Sequence, residues 1–406
     1  MFRCRSSPGP KSGNPKPILP HSNCDPQPPA GKYNLPGLYI HIPFCLSKCP
    51  YCDFYSQTDL SLLPSFLEAL EKEMMMAARE FGNSFDTVYL GGGTPSVLSP
   101  GQIEKVLGSI RRYFILAPDA EITLEANPGD LNLSFMDSIK KMGVTRLNIG
   151  IQSFIPESLL FLGRRHTARQ AVAAIEAARK AGFDRLGLDF IYGLPGQSPE
   201  TWSNDLFRAL DFSPEHLSCY QLTFEEETPL GKSFRSGNIR PPGEVDLLRF
   251  FMDTAEILEK AGFLHYEVSN FSRGPSHASR HNQKYWDHTP YLGLGPSAHS
   301  FCGSSRWWNC RSVTGYLARL NSGELPVGGR EFLTPDQLAL EAWFLGLRTS
   351  KGIDLKEFSS THGEILDSPK KKLIEDLRKK GLLTVEKSRV RPTRAGMAVA
   401  DALALL

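Results

Sequence analysis

Cys45, Cys49 and Cys52 form a C-x3-C-x2-C array inside the stretch YIHIPFCLSKCPYCDFY. Thiols this close suit metal binding, yet a tetrahedral structural zinc site needs four ligands. Three thiolates can instead hold three irons of a cubane and leave the fourth iron open to another ligand, which suits reactive use. Two plainer readings compete with this one: a disulfide pair plus a spare thiol, or zinc completed by His41.

Further candidates follow the cysteines in the chain. Gly91-Gly92-Gly93-Thr94-Pro95 comes directly after the apolar run TVYL. Glycines there let the backbone approach a ligand with no Cβ in the way, although a tight turn has the same composition. The spacing is not that of a phosphate loop. Glu125 ends the run EITLE, Gln152 follows RLNIGI, and Asp189 lies within RLGLDF. Each could be a capping or structural residue, but a buried carboxylate or amide needs a partner, and a ligand carrying hydroxyls and an amino group would supply one. Arg164, in LGRRH, can pair bidentately with a carboxylate or sit on the surface.

The elements that would position these residues alternate. Strands are expected at Leu38–Ile42, Thr87–Leu90, Glu121–Glu125, Arg146–Ile151, Arg185–Phe190 and His216–Leu222, separated by helical segments. Short apolar strands between helices imply a parallel sheet, either curved or an incomplete barrel. Chemistry in such folds gathers at the carboxyl ends of strands, where the cysteine loop and the glycine run both fall. After Thr223 the rhythm loosens. A helix is expected over Glu244–Ala261 and a strand over His265–Ser269, and Phe271–Trp308 reads as loop. Helices over Thr334–Thr349 and Ser368–Lys380, a hairpin over Gly381–Thr393 and a terminal helix suggest a small winged-helix-like module beginning near residue 325.

Composition narrows the class. The chain has 406 residues, 41% hydrophobic and 22% charged, as in ordinary globular proteins, and a net charge of +2 gives no case for nucleic-acid binding. No apolar run approaches the ~18 residues that would span a bilayer. The eight cysteines are irregularly placed, which argues against a secreted disulfide framework and for a cytoplasmic location. Residues 1–35, rich in Pro, Ser, Gly and Asn, read as a disordered leader.

At this point the chain resembles the radical S-adenosylmethionine (SAM) superfamily. The cysteine array with Tyr51 before Cys52 and the GGGTP run with Glu125 match its hallmarks. YIHIPFC, IGIQSF, DFIYGLPGQ and YEVSNFSR narrow the resemblance to the branch of oxygen-independent coproporphyrinogen oxidases and their relatives. The fold this implies is α/β, a partial (βα)6 TIM-like barrel with a smaller C-terminal α+β module. The implied domains are a core at 36–240, an extension at 241–325 and a module at 326–406. Cys45, Cys49 and Cys52 would bind a [4Fe–4S] cluster. Tyr39, Tyr51, Gly92, Gly93, Thr94, Glu125, Gln152, Arg164 and Asp189 would line the SAM pocket. The chemistry implied is one-electron reduction of SAM to a 5′-deoxyadenosyl radical, with an electron donor of flavodoxin or ferredoxin type.

Two features separate members of the branch. The oxidases resemble a pattern with a further cysteine two residues after the third, where this chain has Phe54; that departure puts porphyrin decarboxylation in doubt. His281-Asn282-Gln283-Lys284-Tyr285-Trp286 matches the H-N-x-x-Y-W motif of HemW-type haem chaperones, and so implies haem bound at His281. Acceptor haemoproteins, contact with membranes through those acceptors, and a homodimer are further implications. Ser279 stands where many relatives have cysteine; His277, His288 and His299 lie nearby without a role.

Overall fold

A computed structural model of the protein describes residues 35–363 and 368–403. The expected leader lies outside these residues except for Leu35. Strands β1 (Gly37–Ile42), β2 (Ser84–Gly92), β3 (Ile115–Ala126), β4 (Arg146–Gln152), β5 (Leu186–Tyr192) and β6 (His216–Gln221) pair in chain order, all parallel. Between them run helices α1 (Leu63–Glu80), α2 (Pro100–Tyr113), α3 (Leu133–Lys141), α4 (Pro156–Phe161), α5 (Ala168–Lys180) and α6 (Pro199–Asp211). The helix starts follow from local chemistry. Ser99 with Gln102 and Thr167 with Gln170 form reciprocal capping boxes at α2 and α5, and Ser198 caps α6, each satisfying amide groups with no partner inside the helix.

Alternation along each strand sends side chains to opposite faces. On β1, Leu38, Ile40 and Ile42 are fully buried in one core with Phe66, Leu70 and Met74 of α1. Tyr39 and His41 face the other way, into the lumen enclosed by the curved sheet. This separation of an apolar outer layer from a polar inner face is what allows one sheet both to fold and to carry a site.

After β6 come α7 (Pro229–Arg235), α8 (Glu244–Lys260), β7 (Leu264–Glu267), β8 (Asn270–Ser272), α9 (Arg280–Trp286), β9 (Tyr291–Leu294), β10 (His299–Cys302), β11 (Ser305–Asn309), α10 (Val313–Asn321) and β12 (Val327–Phe332). The sheet has twelve strands in the order β12-β11-β10-β9-β1-β2-β3-β4-β5-β6-β8-β7. Its edge strands β12 and β7 are unpaired with each other, so the barrel is partial, as expected.

Phe271–Trp308 departs from the loop expected there, since it supplies β8, α9, β9, β10 and most of β11. These strands run only three to five residues, too short to show periodicity. They are held by the edges they join: β9 lies parallel to β1, with Tyr291 beside Gly37, and β10 to β12 continue antiparallel.

The sheet extends to Phe332, past the expected boundary near 325. Beyond it, helices Pro335–Gly346, Leu355–His362 and Ser368–Lys379 pack with a three-stranded sheet of Ile353–Asp354, Leu383–Glu386 and Arg389–Pro392. This unit has its own apolar core, which includes Leu347, Ile353, Phe358, Leu383 and Val390. No helix among the described residues is long and apolar enough to cross a membrane.

Candidate metal and cofactor site

The cysteine loop leaves the carboxyl end of β1. Its first turn is fixed by Cys45 N–H donating to Gln57 O at 3.0 Å, and its last by Cys52 N–H donating to Cys49 O at 3.1 Å. Pro50 O accepts from Leu230 N–H at 2.9 Å, which ties the loop to the start of α7. All three thiols are free, Cys45 buried and the other two half-buried, so the disulfide reading falls away. Burial, followed by the neighbouring Cys49 and Cys45, pushes the Cys52 thiol up to about 11. Zinc completed by His41 falls away too. Its Nε2 lies 2.8 Å from Tyr55 O and its Nδ1 3.1 Å from Tyr39 Oη, occupying both nitrogens. Among the described residues no group of three or more His, Cys, Asp and Glu is placed to hold a single metal ion, whereas a cubane asks each thiolate for a different iron.

Two neighbours address the sulfurs directly. Thr94 Oγ1 donates to Cys45 Sγ at 3.3 Å, and Arg164 Nη1 donates to Cys49 Sγ at 3.4 Å. The same nitrogen reaches Tyr51 Oη at 3.4 Å, while Nη2 is anchored on Gly150 O at 3.0 Å. A guanidinium beside thiolates offsets their mutual repulsion.

The glycine run joins this loop to the sheet. Gly93 N–H donates to Ile42 O and Thr94 N–H to Phe44 O, both at 2.8 Å, so the β1–β2 ladder continues into the cysteine loop. A Cβ on Gly93 would stand 2.6 Å from Phe44 O, and one on Gly92 2.6 Å from the His41 ring. Gly92 also has φ +106. Glycine at these two positions is therefore a steric requirement.

The carboxylates line the lumen. Tyr89 Oη donates to Glu125 Oε1 at 2.7 Å, yet burial pushes Glu125 up to about 7. Asp189, on β5, is pushed up to about 6 by burial despite a hydrogen bond from Ser218. Neither forms an ion pair with a described cation. Gln152 ends β4 at φ +66, where the register with β5 slips, and its amide lies over Gly150 next to Arg164.

The residues present fit both groups that the resemblance implies. Three free thiols on one loop, with no fourth ligand placed beside them among the described residues, match a cluster with an open iron. Two lumen-facing carboxylates, half-buried and with no ion pair among the described residues, suit the sulfonium and ammonium of SAM, and the glycine run lets the cysteine loop and the His41 ring close against the strand end beside them.

Comparison with known proteins agrees. Residues 39–209 match the Radical SAM superfamily and residues 333–399 the HemN C-terminal domain. A protein named "Heme chaperone HemW" from Mycobacterium tuberculosis is 36% identical over 372 residues, covering 90% of this chain and 93% of that protein. One of the same name from Bacillus subtilis is 33% identical over 88% of this chain and 95% of its own length. The chain belongs to the HemW family of radical SAM proteins. Among solved structures, coproporphyrinogen III oxidase (HemN) from Escherichia coli superimposes with a TM-score of 0.79 at 25% identity, covering 92% of this chain and 90% of that one.

Within this HemW-family chain, several lumen residues escaped the sequence reading. Tyr89, Asn148, Tyr220 and Tyr285 all face the interior. Asn148 Nδ2 donates to Tyr89 Oη at 3.3 Å, and the charge of Asp189 acts on Tyr220. The signal was available for two of them: Tyr89 and Asn148 are polar residues inside apolar runs, on the face that Glu125 occupies.

His281 is packed inside the fold. It is fully buried, with Nδ1 2.8 Å from Thr87 Oγ1 and Nε2 3.0 Å from Tyr285 Oη. Its ring stacks on Tyr89 at 5.1 Å, and burial lowers its pKa to about 3. Its neighbour Thr87 pairs with Gly37 at the start of β1, so His281 lies on the order of 15–20 Å, one strand length, from the cysteine loop. Ser279 caps α9, accepting from Asn282 N–H. A separate groove of about 940 Å³ between α5 and α6, on the outer surface, is remote from all of this chemistry.

Proposed function

We propose that this protein binds haem and passes it to acceptor haemoproteins, with a [4Fe–4S] cluster and SAM as cofactors. The observation that carries the reading is the complete cysteine, glycine and carboxylate site within a chain that matches HemW proteins over nine-tenths of its length. Cys45, Cys49 and Cys52 would hold the cluster and leave one iron for SAM. When bound, the pair supplies one-electron reductive chemistry. Thr94 and Arg164 bond to the sulfurs, and Glu125 and Asp189 offer charge to the cationic cofactor. Tyr39 and Tyr89 close the floor of the lumen and keep water from it. Electron supply from a flavodoxin- or ferredoxin-type donor, a homodimer, a cytoplasmic location and membrane contact through acceptors belong to the same proposal.

The experiment is a titration of haem into the anaerobically reconstituted protein, followed by addition of an apo-haemoprotein acceptor. Binding followed by transfer is the expected result; failure to bind haem overturns the reading. A second reading, oxygen-independent coproporphyrinogen III oxidase, draws on the structural likeness to HemN. It requires conversion of coproporphyrinogen III to protoporphyrinogen IX with SAM and a reductant, although Phe54 occupies the place of the extra cysteine.

A further inference from the structure

An imidazole is a common protein ligand of haem iron, and most of the described histidines are already engaged. His41 and His281 have both ring nitrogens engaged. His166, His216 and His265 are buried and hydrogen-bonded, and His288 lies 3.8 Å from Glu341. His299 differs. It is exposed, and among the described residues its imidazole makes neither a hydrogen bond nor an ion pair; His277, whose Nδ1 is enclosed without a partner, and His362, packed on Phe358, share that lack but are not exposed.

Strand alternation shows which way it faces. Ser300 and its partner Trp307 point into the helix-side core, where Trp307 stacks on Phe81 at 4.9 Å. His299 and its partner Trp308 therefore point into the lumen. Their rings lie 5.9 Å apart at 28°. Arg311 is mostly exposed, lies 3.9 Å from Asp53 Oδ1 and donates to Asp53 O at 3.1 Å, which places it beside Cys52, the residue before Asp53, with the outer side of its guanidinium turned to solvent.

We propose that His299 is the haem-iron ligand of this protein, with Trp308 as an aromatic face for the porphyrin and Arg311 as a cation for a propionate. The inference rests on the haem-chaperone reading and names its binding site. An imidazole beside an indole, with a guanidinium close enough for its charge to act on that imidazole, matches the three chemical parts of haem: iron, macrocycle and carboxylate. Although His299 reaches solvent, desolvation by the protein packed around its ring, then Arg306 and Arg311, lowers its pKa, which favours the neutral, ligating form. The same lumen holds Tyr39, Glu125 and Asp189, so haem at His299 would share it with the cofactor site. His281, by contrast, could reach iron only if α9 left its seat.

The test is titration of ferric haem into the full-length protein, read by visible absorption and electron paramagnetic resonance. Wild type should show a histidine-ligated spectrum. His299→Ala should lose it and bind roughly tenfold more weakly or worse, added imidazole should restore it, and His299→Cys should show thiolate ligation. His281→Ala, checked for folding by circular dichroism, should keep the wild-type spectrum. If wild type binds and transfers haem while both His299 variants keep its spectrum, this inference is overturned and the chaperone reading stands. Loss of the spectrum in folded His281→Ala alone overturns it as well. If wild type binds no haem, both readings fail together.

Discussion

Glu125 shows how one side chain can be adjusted for a cationic ligand. It sits at the end of a strand, accepts a hydrogen bond from Tyr89 at 2.7 Å, and is nonetheless pushed up to about 7 because burial outweighs that bond. Near neutral pH the empty site thus holds a carboxyl that a positive ligand would ionise. SAM affinity should rise with pH from about 6 to about 8, as the carboxylate becomes populated in the free protein. Glu125→Gln should weaken SAM binding by at least about 30-fold, the effect of removing one partner of a buried charge pair, and should flatten that pH profile. Calorimetric titration across the range reads both effects; an unchanged slope in the variant would assign the titration to another group. Phe54 acts at the same scale by absence. It is 42% exposed and offers no sulfur where the oxidases resemble a pattern with cysteine.

Single elements are locked by small buried polar clusters. Glu73 fastens α1 to the β9–β11 extension, accepting from Tyr316 Oη at 2.5 Å, Asn309 Nδ2 at 2.6 Å and Gly295 N–H at 2.8 Å. Burial pushes it from 4.5 up to about 7. Because the folded-state value is the higher one, its stabilising contribution is complete below about 4.5 and is lost as pH rises through about 7. That loss amounts to about 3 kcal/mol. Urea unfolding at the two ends of this window should therefore show wild type losing more stability than Glu73→Gln as pH rises; parallel losses would refute the assignment. The helix α9 is locked in a comparable way. Lys284 Nζ lies 2.7 Å from Asp86 Oδ1 and 2.6 Å from Leu35 O, and Arg280 lies 3.1 Å from the same aspartate. Lys284→Met removes the buried ammonium but leaves Arg280 in place, so we expect a cost of about 1–3 kcal/mol. Amide exchange over residues 280–286 should quicken while the central strands hold their protection. Unaltered exchange there would mean that α9 is held by its ring contacts instead.

For the molecule as a whole, the question is how the C-terminal unit is attached to the barrel. Arg348 reaches back to Glu267 at 3.2 Å, both side chains largely buried. Backbone bonds from Val268 N–H to Arg348 O and from Ser350 N–H to Tyr266 O, each 3.1 Å, reinforce the joint. Arg348→Ala leaves the buried Glu267 carboxylate with only the hydrogen bonds from Ser269 N–H and Asn270 Nδ2, which costs about 1–3 kcal/mol. Limited proteolysis should then cut near the junction at residue 333 and release the unit; resistance equal to wild type would show that apolar packing alone holds it. The HemN likeness also belongs at this scale, because one scaffold carries two named activities and only the sites decide between them.

Much of this was legible without coordinates. The six parallel strands were readable because each contains a short, largely buried apolar run, and the cofactor residues because they fall where those runs end. Cys45, Cys49, Cys52, Gly92, Gly93, Glu125 and Arg164 all meet at that end of the sheet. The segment 271–308 was not legible, since three- to five-residue strands carry too little periodicity and take their conformation from the edge of β1. For the same reason the motif around His281 could not disclose its own burial. A sequence shows that a histidine lies among aromatics, but whether those rings open onto a cavity or seal one depends on which strand lies across from them. Local pattern determined the cluster loop and the SAM-facing strand ends of this protein; only long-range pairing decided that α9 would close the barrel floor and that His299 would face its lumen.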